Sequence, residues 1–274
     1  MKHILVPTDF SDQAEYALKT AAVLARKNNA SIYLLHLLEL PGQMSDAVSS
    51  GKSIPEVILF IRKANERLED IKSQSYLEGI SVESSVQLEK AFAGILAFND
   101  VHAIDLIIMG SHGSSNVEHL LIGSNTEKVV RLSKAPVLVI KKDPGEFTIK
   151  KIVFASDFSK GTKKPFKKLL QFSQEADAQL LLVLINTPNS FKTTSKSDQI
   201  LKKFLKKHDL ENYSTHVYND TNVENGITNF AESQEADLIS ICTHGRTRLS
   251  HFFSSSISQG LINHESRPIL TFRI

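Results

Sequence analysis

Short apolar runs alternate with stretches of helical periodicity along the first half of the chain. His3-Ile4-Leu5-Val6-Pro7 predicts a strand over 3–7. Asp12 with Glu15 forms a capping pattern for a helix whose Ala14, Ala17, Leu18, Ala21, Leu24 and Ala25 share one face. A second strand is predicted over 31–38. Val57, Ile58, Ile61, Ala64, Leu68 and Ile71 then trace a long amphipathic helix, closed by Gly79. Strands over 81–88, 105–109 and 136–140 follow, separated by helices over 90–101 and 124–133. Strand and helix in strict alternation predict βα units, and so a doubly wound parallel sheet with helices on both faces.

The pattern occurs twice. Lys2-His-Ile-Leu-Val-Pro-Thr-Asp9-Phe10-Ser11 returns as Lys150-Lys-Ile-Val-Phe-Ala-Ser-Asp157-Phe158-Ser159, a shift of 148 positions. Further on the shift falls to 132, matching Asp105 to Asp237, His112 to His244, Gly113 to Gly245 and Pro136 to Pro268, so the second copy lacks 16 residues in its middle. Lys141-Lys-Asp-Pro-Gly145-Glu breaks regular structure between the copies. The expected domains are 1–143 and 148–274.

A length of 274 residues, 41% of them hydrophobic, suffices for two cores of ordinary size. Residues 1–143 hold 15 basic and 17 acidic side chains and residues 144–274 hold 17 and 13, so the halves carry −2 and +4. Lys163, Lys164, Lys167 and Lys168, and again Lys202, Lys203, Lys206 and Lys207, have the spacing of solvated helix faces. No aromatic residues interleave with them as base stacking requires, so nucleic acid is not an expected partner. No apolar stretch approaches 18 residues, and no basic segment precedes the first apolar run. The chain is expected to be cytoplasmic and without a membrane span. The single cysteine, Cys242, excludes an intrachain disulfide and a CxxC motif, and reads as a small core residue.

Candidate chemistry concentrates after the fourth strand. Gly110-Ser111-His112-Gly113, nine residues, then Gly123-Ser124 follow the apolar run Asp105–Met109. Glycines let backbone N–H groups approach an anion closely, and the first turn of the helix opened by Ser124 offers unpaired N–H groups to a phosphate. The same residues have a purely local use. Ser124 and Glu127 have capping-box spacing, and Gly110 and Gly113 suit a turn. The spacing G-x2-G-x9-G-S after such a strand resembles the ATP-binding subgroup of the universal stress protein family.

That resemblance implies two tandem five-stranded domains of strand order 3-2-1-4-5, similar to the adenine nucleotide alpha hydrolases. Open α/β sheets bind ligands beyond the carboxyl ends of the strands where the order reverses, here between strands 1 and 4. Asp9 ends the first and Gly110 the fourth. Carried over from the family, Pro7, Thr8, Asp9 and Leu37 lie against adenosine, with Met109 and Gly110 at the ribose. Gly113, Gly123, Ser124 and Asn125 surround the phosphates of ATP, with Mg²⁺ among the phosphate oxygens. Asp9 has an alternative role as a helix-entry cap after the strand. His112 recurs as His244, which suits holding the loop; no second histidine or cysteine is spaced to make it a metal ligand.

Cys242 stands where Gly110 does and Ser255 where Gly123 does, so the second copy is expected to bind ATP weakly or not at all. Ser256 and Gln259 keep the capping-box spacing there, and Arg246 and Arg248 read as solvated loop residues. The chain lacks G-x4-G-K-[ST], G-x-S-x-G, H-E-x-x-H and G-x-G-x-x-G, and Asp9 is the one carboxylate expected at the crevice. A stress-response binding module with at most slow ATP hydrolysis is the leading expectation. A hydrolysing α/β enzyme drawing Lys52 from the 41–53 loop, and a nucleotide-free scaffold, are the alternatives. By resemblance, the last strands, Pro136–Ile140 and Pro268–Ile274, join the halves as an intramolecular pseudo-dimer and cover open sheet edges. Homodimerisation and a protein partner stay open.

Overall fold

Ile4, Leu5 and Val6 of strand β1 (His3–Thr8) are completely buried, and they alternate between two apolar layers. Ile4 and Val6 join one layer, Leu5 the other. β6 (Lys151–Ala155) repeats the arrangement, with Ile152 and Phe154 on one face and Val153 on the other. A strand buried on both faces lies in a sheet covered by helices on both sides. The computed structural model describes residues 1–42, 44, 54–112, 122–143, 145–206, 208, 210–243 and 255–274, the last from 257 for side chains.

In the first half β1 is followed by α1 (Asp12–Asn28), β2 (Ser31–Leu37), α2 (Pro55–Lys72), β3 (Val82–Gln87), α3 (Ala91–His102), β4 (Leu106–Gly110), α4 (Ser124–Leu132) and β5 (Val137–Ile140). The second half runs β6, α5 (Lys163–Ala176), β7 (Gln179–Asn186), α6 (Thr194–Leu205), β8 (Tyr213–Asn219), α7 (Val223–Ser233), β9 (Leu238–Thr243), α8 (Ser255–His264) and β10 (Ile269–Arg273). The ten strands among the described residues form one sheet, ordered β3-β2-β1-β4-β5-β10-β9-β6-β7-β8. Each half has the order 3-2-1-4-5 read from its own edge. Neighbours are parallel except at the seam, where Val137, Leu138 and Val139 pair antiparallel with Thr271, Leu270 and Ile269. The last strands therefore join the halves as the resemblance implied. Both apolar layers draw residues from both halves, so the core is continuous across the seam.

The repeat extends to backbone detail. Among the described residues, the non-glycine positions with left-handed φ are Phe10 and Phe158, Asn29 and Asp177, Ala103 and Glu235, which are three repeat pairs. Such angles cost an L-residue energy, so their recurrence marks turns dictated by the fold. Asp105 and Asp237 are another pair. The Asp105 Oδ2 accepts from the Lys2 and His3 N–H groups at 2.6 and 3.1 Å, and the Asp237 Oδ2 from those of Lys150 and Lys151 at 2.7 and 2.9 Å. Each carboxylate ties the start of its half's first strand.

Three local expectations need correction. The cap of α1 is Ser11, whose hydroxyl accepts from the Ala14 N–H at 3.3 Å, while Asp12 already lies inside the helix. Helix α2 ends at Lys72; a 3₁₀ turn at Ser75–Leu77 intervenes before Gly79, which turns the chain with φ of 77°. At α4 the cap position belongs to Gly123, with Ser124 inside the helix, so Ser124 and Glu127 form no capping box. Ser256 and Gln259 cannot be compared, since the Ser256 side chain lies outside the described residues.

Candidate functional site

Parallel strands leave their carboxyl ends beside one another, and the order reversal between β1 and β4 opens a crevice there. A cleft of about 360 Å³ occupies it. Pro7, Thr8 and Asp9 from the end of β1, Leu37 from β2, and Met109 and Gly110 from β4 line one side. His112 and the start of α4, Gly123, Ser124 and Asn125, line the other. Ten of the eleven residues expected from sequence thus meet at one place; Gly113 lies outside the described residues. Most of the 41–53 loop, Lys52 included, and the 244–254 segment with Arg246 and Arg248 lie outside them too.

The ends of the loop after β4 are clamped together. The Gly123 N–H donates to the Ser111 carbonyl at 2.7 Å, and the Thr126 hydroxyl donates to the Gly110 carbonyl at 3.0 Å. The Ser111 hydroxyl lies 2.8 Å from Nδ1 of His112. From the second half, Oδ1 of Asn263 accepts from the Ile122 N–H at 2.8 Å. The cap residue of α4 is a glycine, and Ser124, Asn125 and Thr126 of its first turn line the cleft, so the positive dipole end of the helix lies there.

Asp9 has a structural part whatever else it does. Its Oδ1 accepts from the N–H and hydroxyl of Ser11 at 3.1 and 2.5 Å, which fixes the turn between β1 and α1. Asp157 takes the same bond from Ser159 at 3.0 Å. Asp9 is also joined by a second carboxylate at the crevice, contrary to expectation. Glu39 lines the cleft, and its Oε1 accepts from the Ala91 N–H at 2.7 Å, capping α3 where Lys90 provides no side-chain cap. That cap spans 52 residues of sequence, beyond the reach of local capping patterns.

Two glycines serve packing. A Cβ on Gly110 would lie 2.7 Å from the Gln13 Cβ and 2.9 Å from that residue's backbone, so the glycine lets α1 approach the end of β4. Gly110 is not left-handed, and its need for a missing side chain comes from α1. In the second half Cys242 occupies the strand position and Gly161 the helix position, so the small residue has changed sides. A 3₁₀ turn, Lys160–Thr162, stands there before α5. Sequence reasoning missed Gly94 in α3, where a Cβ would lie 2.3 Å from Cδ2 of Leu37; the glycine seats the leucine against the cleft. Gly226 and Ile185 repeat this pair at 2.6 Å, and a glycine recurring inside a helix was the available signal.

At the matching place in the second half the wall is closed. Ile185 and Thr187 are buried, whereas their counterparts Leu37 and Glu39 are half-buried and exposed. The Asn186 side chain clasps Lys192, accepting from its N–H at 2.7 Å and donating to its carbonyl at 3.0 Å, which holds the 187–192 segment against the strand end. Cys242 is fully buried, and burial, with the charge of Asp157, pushes its thiol pKa well up. It stays a protonated core thiol. No helix among the described residues is long and apolar enough to cross a membrane.

The universal stress protein MJ0577 of Methanocaldococcus jannaschii is 30% identical over 154 residues, spanning 52% of this chain and 95% of its own. The universal stress protein Slr1230 of Synechocystis sp. is 26% identical over 296 aligned positions and spans 100% of both chains. In fold, a universal stress protein from Archaeoglobus fulgidus DSM 4304 superposes with a TM-score of 0.76 at 19% identity, over 99% of this chain and 98% of that one. The sequence profile of the universal stress protein family matches residues 1–141 and again 148–273, and this chain belongs to that family as a tandem of two such domains.

Proposed function

We propose that the first domain binds ATP in the cleft between β1 and β4, and that the protein is a stress-response binding module which uses nucleotide occupancy to alter its contacts. One observation carries the reading. Two motifs about a hundred residues apart, Pro7-Thr8-Asp9 and the set Gly110, His112, Gly123, Ser124 and Asn125, line a single cleft whose volume of about 360 Å³ lies in the usual range for small-molecule sites. Leu37 and Met109 supply apolar surface for the adenosine. The N–H groups at the start of α4 suit the phosphates.

The residues fit a magnesium ion held mainly by the nucleotide. Asp9 and Glu39, the carboxylates that line the cleft, are the side chains that could reach an ion bound chiefly through phosphate oxygens. When bound, the ion would neutralise phosphate charge. Asp9 and Glu39 each hold a backbone N–H group through one carboxylate oxygen, which gives both a structural part beside any contact with ligand.

The test is acid extraction of freshly purified protein with nucleotide quantification, beside Gly123→Asp, which sets a carboxylate at the cap of α4. The expected result is one adenine nucleotide per chain, lost in the variant. If both proteins are empty and neither takes up added Mg·ATP, the scaffold alternative replaces this reading.

A further inference from the structure

A second cleft, of about 280 Å³, opens on the other face of the sheet, between α1, α2 and the turn after β1. Thr8 and Ala14 line both clefts, so this turn is the wall between them. Leu18 and Ile71 give the second cleft its apolar side, and Arg67, Asp70 and Tyr76 give it its polar side.

The other half fills the same space. Phe10 and Leu18 correspond to Phe158 and Phe166, whose rings pack on Phe204 at centroid distances of 5.2 and 5.0 Å. His208 closes the cluster 4.9 Å from Phe166. Phe10 and Phe158 have the same left-handed backbone, with φ of 66° and 53°, yet Phe158 is buried and Phe10 is half-buried. The Phe10 ring is instead flanked by the His36 ring at 4.4 Å and the Arg67 guanidinium carbon at 4.2 Å. One fold has packed this space solid in one copy and left it open, with charges at its rim, in the other.

Those charges select a ligand. Glu15 is neutralised by Lys19 at 3.1 Å. Arg67 and Asp70, three residues apart on α2, form no ion pair with each other or with any other described residue. A guanidinium presents a fork that fits a carboxylate, and a free carboxylate is the natural acceptor for an ammonium. Burial, with the Glu15 charge, pushes the Tyr76 phenol up to about 12, so it remains a hydrogen-bond donor at neutral pH. A volume just under the about 300 Å³ at which drug-sized sites begin calls for a compact molecule.

We propose that this cleft binds a small amphoteric molecule with an apolar body, of the class of the aromatic α-amino acids. The ligand carboxylate lies on Arg67, its ammonium on Asp70, and its ring between Phe10 and Leu18. The site is distinct from the first cleft, with which it shares the wall formed by Thr8 and Ala14.

The test is calorimetric titration of the full chain with L-phenylalanine, with phenylacetate, which lacks the ammonium, and with 2-phenylethylamine, which lacks the carboxylate. Phenylalanine is expected to bind tightest. Arg67→Gln, at an exposed helix position, should weaken phenylalanine and phenylacetate about tenfold, about 1.4 kcal/mol, and weaken 2-phenylethylamine far less. Asp70→Asn should do the converse. Leu18→Phe, which installs the second half's residue, should abolish binding of all three. No uptake of phenylalanine overturns the proposal, as does uptake indifferent to both Arg67→Gln and Asp70→Asn. Binding displaced by Mg·ATP but untouched by Leu18→Phe assigns the probe to the first cleft and equally overturns it.

Discussion

The two halves share a topology, a set of left-handed turns and a pair of strand-tying aspartates, yet they treat the space around the first strand end differently. In the first half that strand end stands between two clefts. In the second, Ile185, Asn186 and Thr187 are buried on one side and the Phe158, Phe166 and Phe204 rings pack the other. What the halves have in common is what the fold requires. What differs is where one half has exchanged internal packing for accessible space, and function is to be sought there.

The largest effect expected from breaking this contrast is Phe204→Ala. It empties the second half's aromatic cluster and should cost about 3–5 kcal/mol in urea unfolding, the usual range for a buried phenylalanine. The corresponding face of the first half, already open, should tolerate Ile71→Ala with a smaller loss. Equal losses would mean that the clefted face is packed as tightly as the filled one.

Gly110→Cys transplants the second half's residue and forces a Cβ to within 2.7 Å of the Gln13 Cβ. A destabilisation of about 1–3 kcal/mol is expected from overpacking. Adding Gln13→Gly, the second half's partner choice, should recover part of it, because one of the close atoms is removed while the backbone contacts stay. No recovery in the double variant would show that the exchange between halves is not compensatory.

Lys141 and Arg273 are counterparts at the ends of the two seam strands. The Arg273 guanidinium donates to the Leu132 carbonyl at 2.8 Å, whereas burial lowers the Lys141 pKa from 10.5 to about 8, against an opposing pull from Glu265. A depressed lysine means that the unfolded chain holds the proton more firmly. Stability should therefore rise with pH between about 8 and 10.5, and the penalty is fully present below pH 8. Lys141→Met should stabilise the protein at pH 7, on the order of 1–2 kcal/mol, and lose that advantage above pH 10.5. Denaturation midpoints of both proteins at pH 7 and pH 11 check the sign.

The smallest effect is expected at Asn263, whose amide oxygen holds the Ile122 N–H across the seam. Asn263→Leu should weaken nucleotide binding severalfold, on the order of the 1 kcal/mol of one hydrogen bond, with the unfolding midpoint nearly unchanged. Unchanged affinity would show that the first half's loop needs no support from the second.

Much of the architecture was legible because strand and helix periods alternate cleanly and the repeat supplies a second copy against which to read them. Convergence of Asp9 and Gly110 on one crevice followed from strand order. Caps fall one residue from their expected places at α1 and α4, because Ser11 and Asp12, like Gly123 and Ser124, are adjacent residues both suited to the cap, and local preference does not choose between them. Glu39 escaped notice because its bond to Ala91 joins elements distant in sequence. The glycine at 110 stands out in the sequence for the nucleotide it would approach, whereas the neighbour that requires it is α1, a contact visible only when strand and helix are placed together. The second cleft left no motif, since at its apolar side Leu18 differs from its counterpart Phe166 only in the size of an apolar side chain.

The antiparallel seam between β5 and β10 has one further consequence. A pair of separate subunits associates by mass action and must carry every substitution on both sides of its twofold axis. Here the partner is covalently attached through the 141–150 segment, so association is intramolecular and the effective concentration of each half for the other is fixed by the linker at any dilution. A substitution falls on one side alone. That is the physical condition under which Cys242 can stand opposite Gly110 in a single molecule, and under which one half can serve as a permanent structural mate to the other.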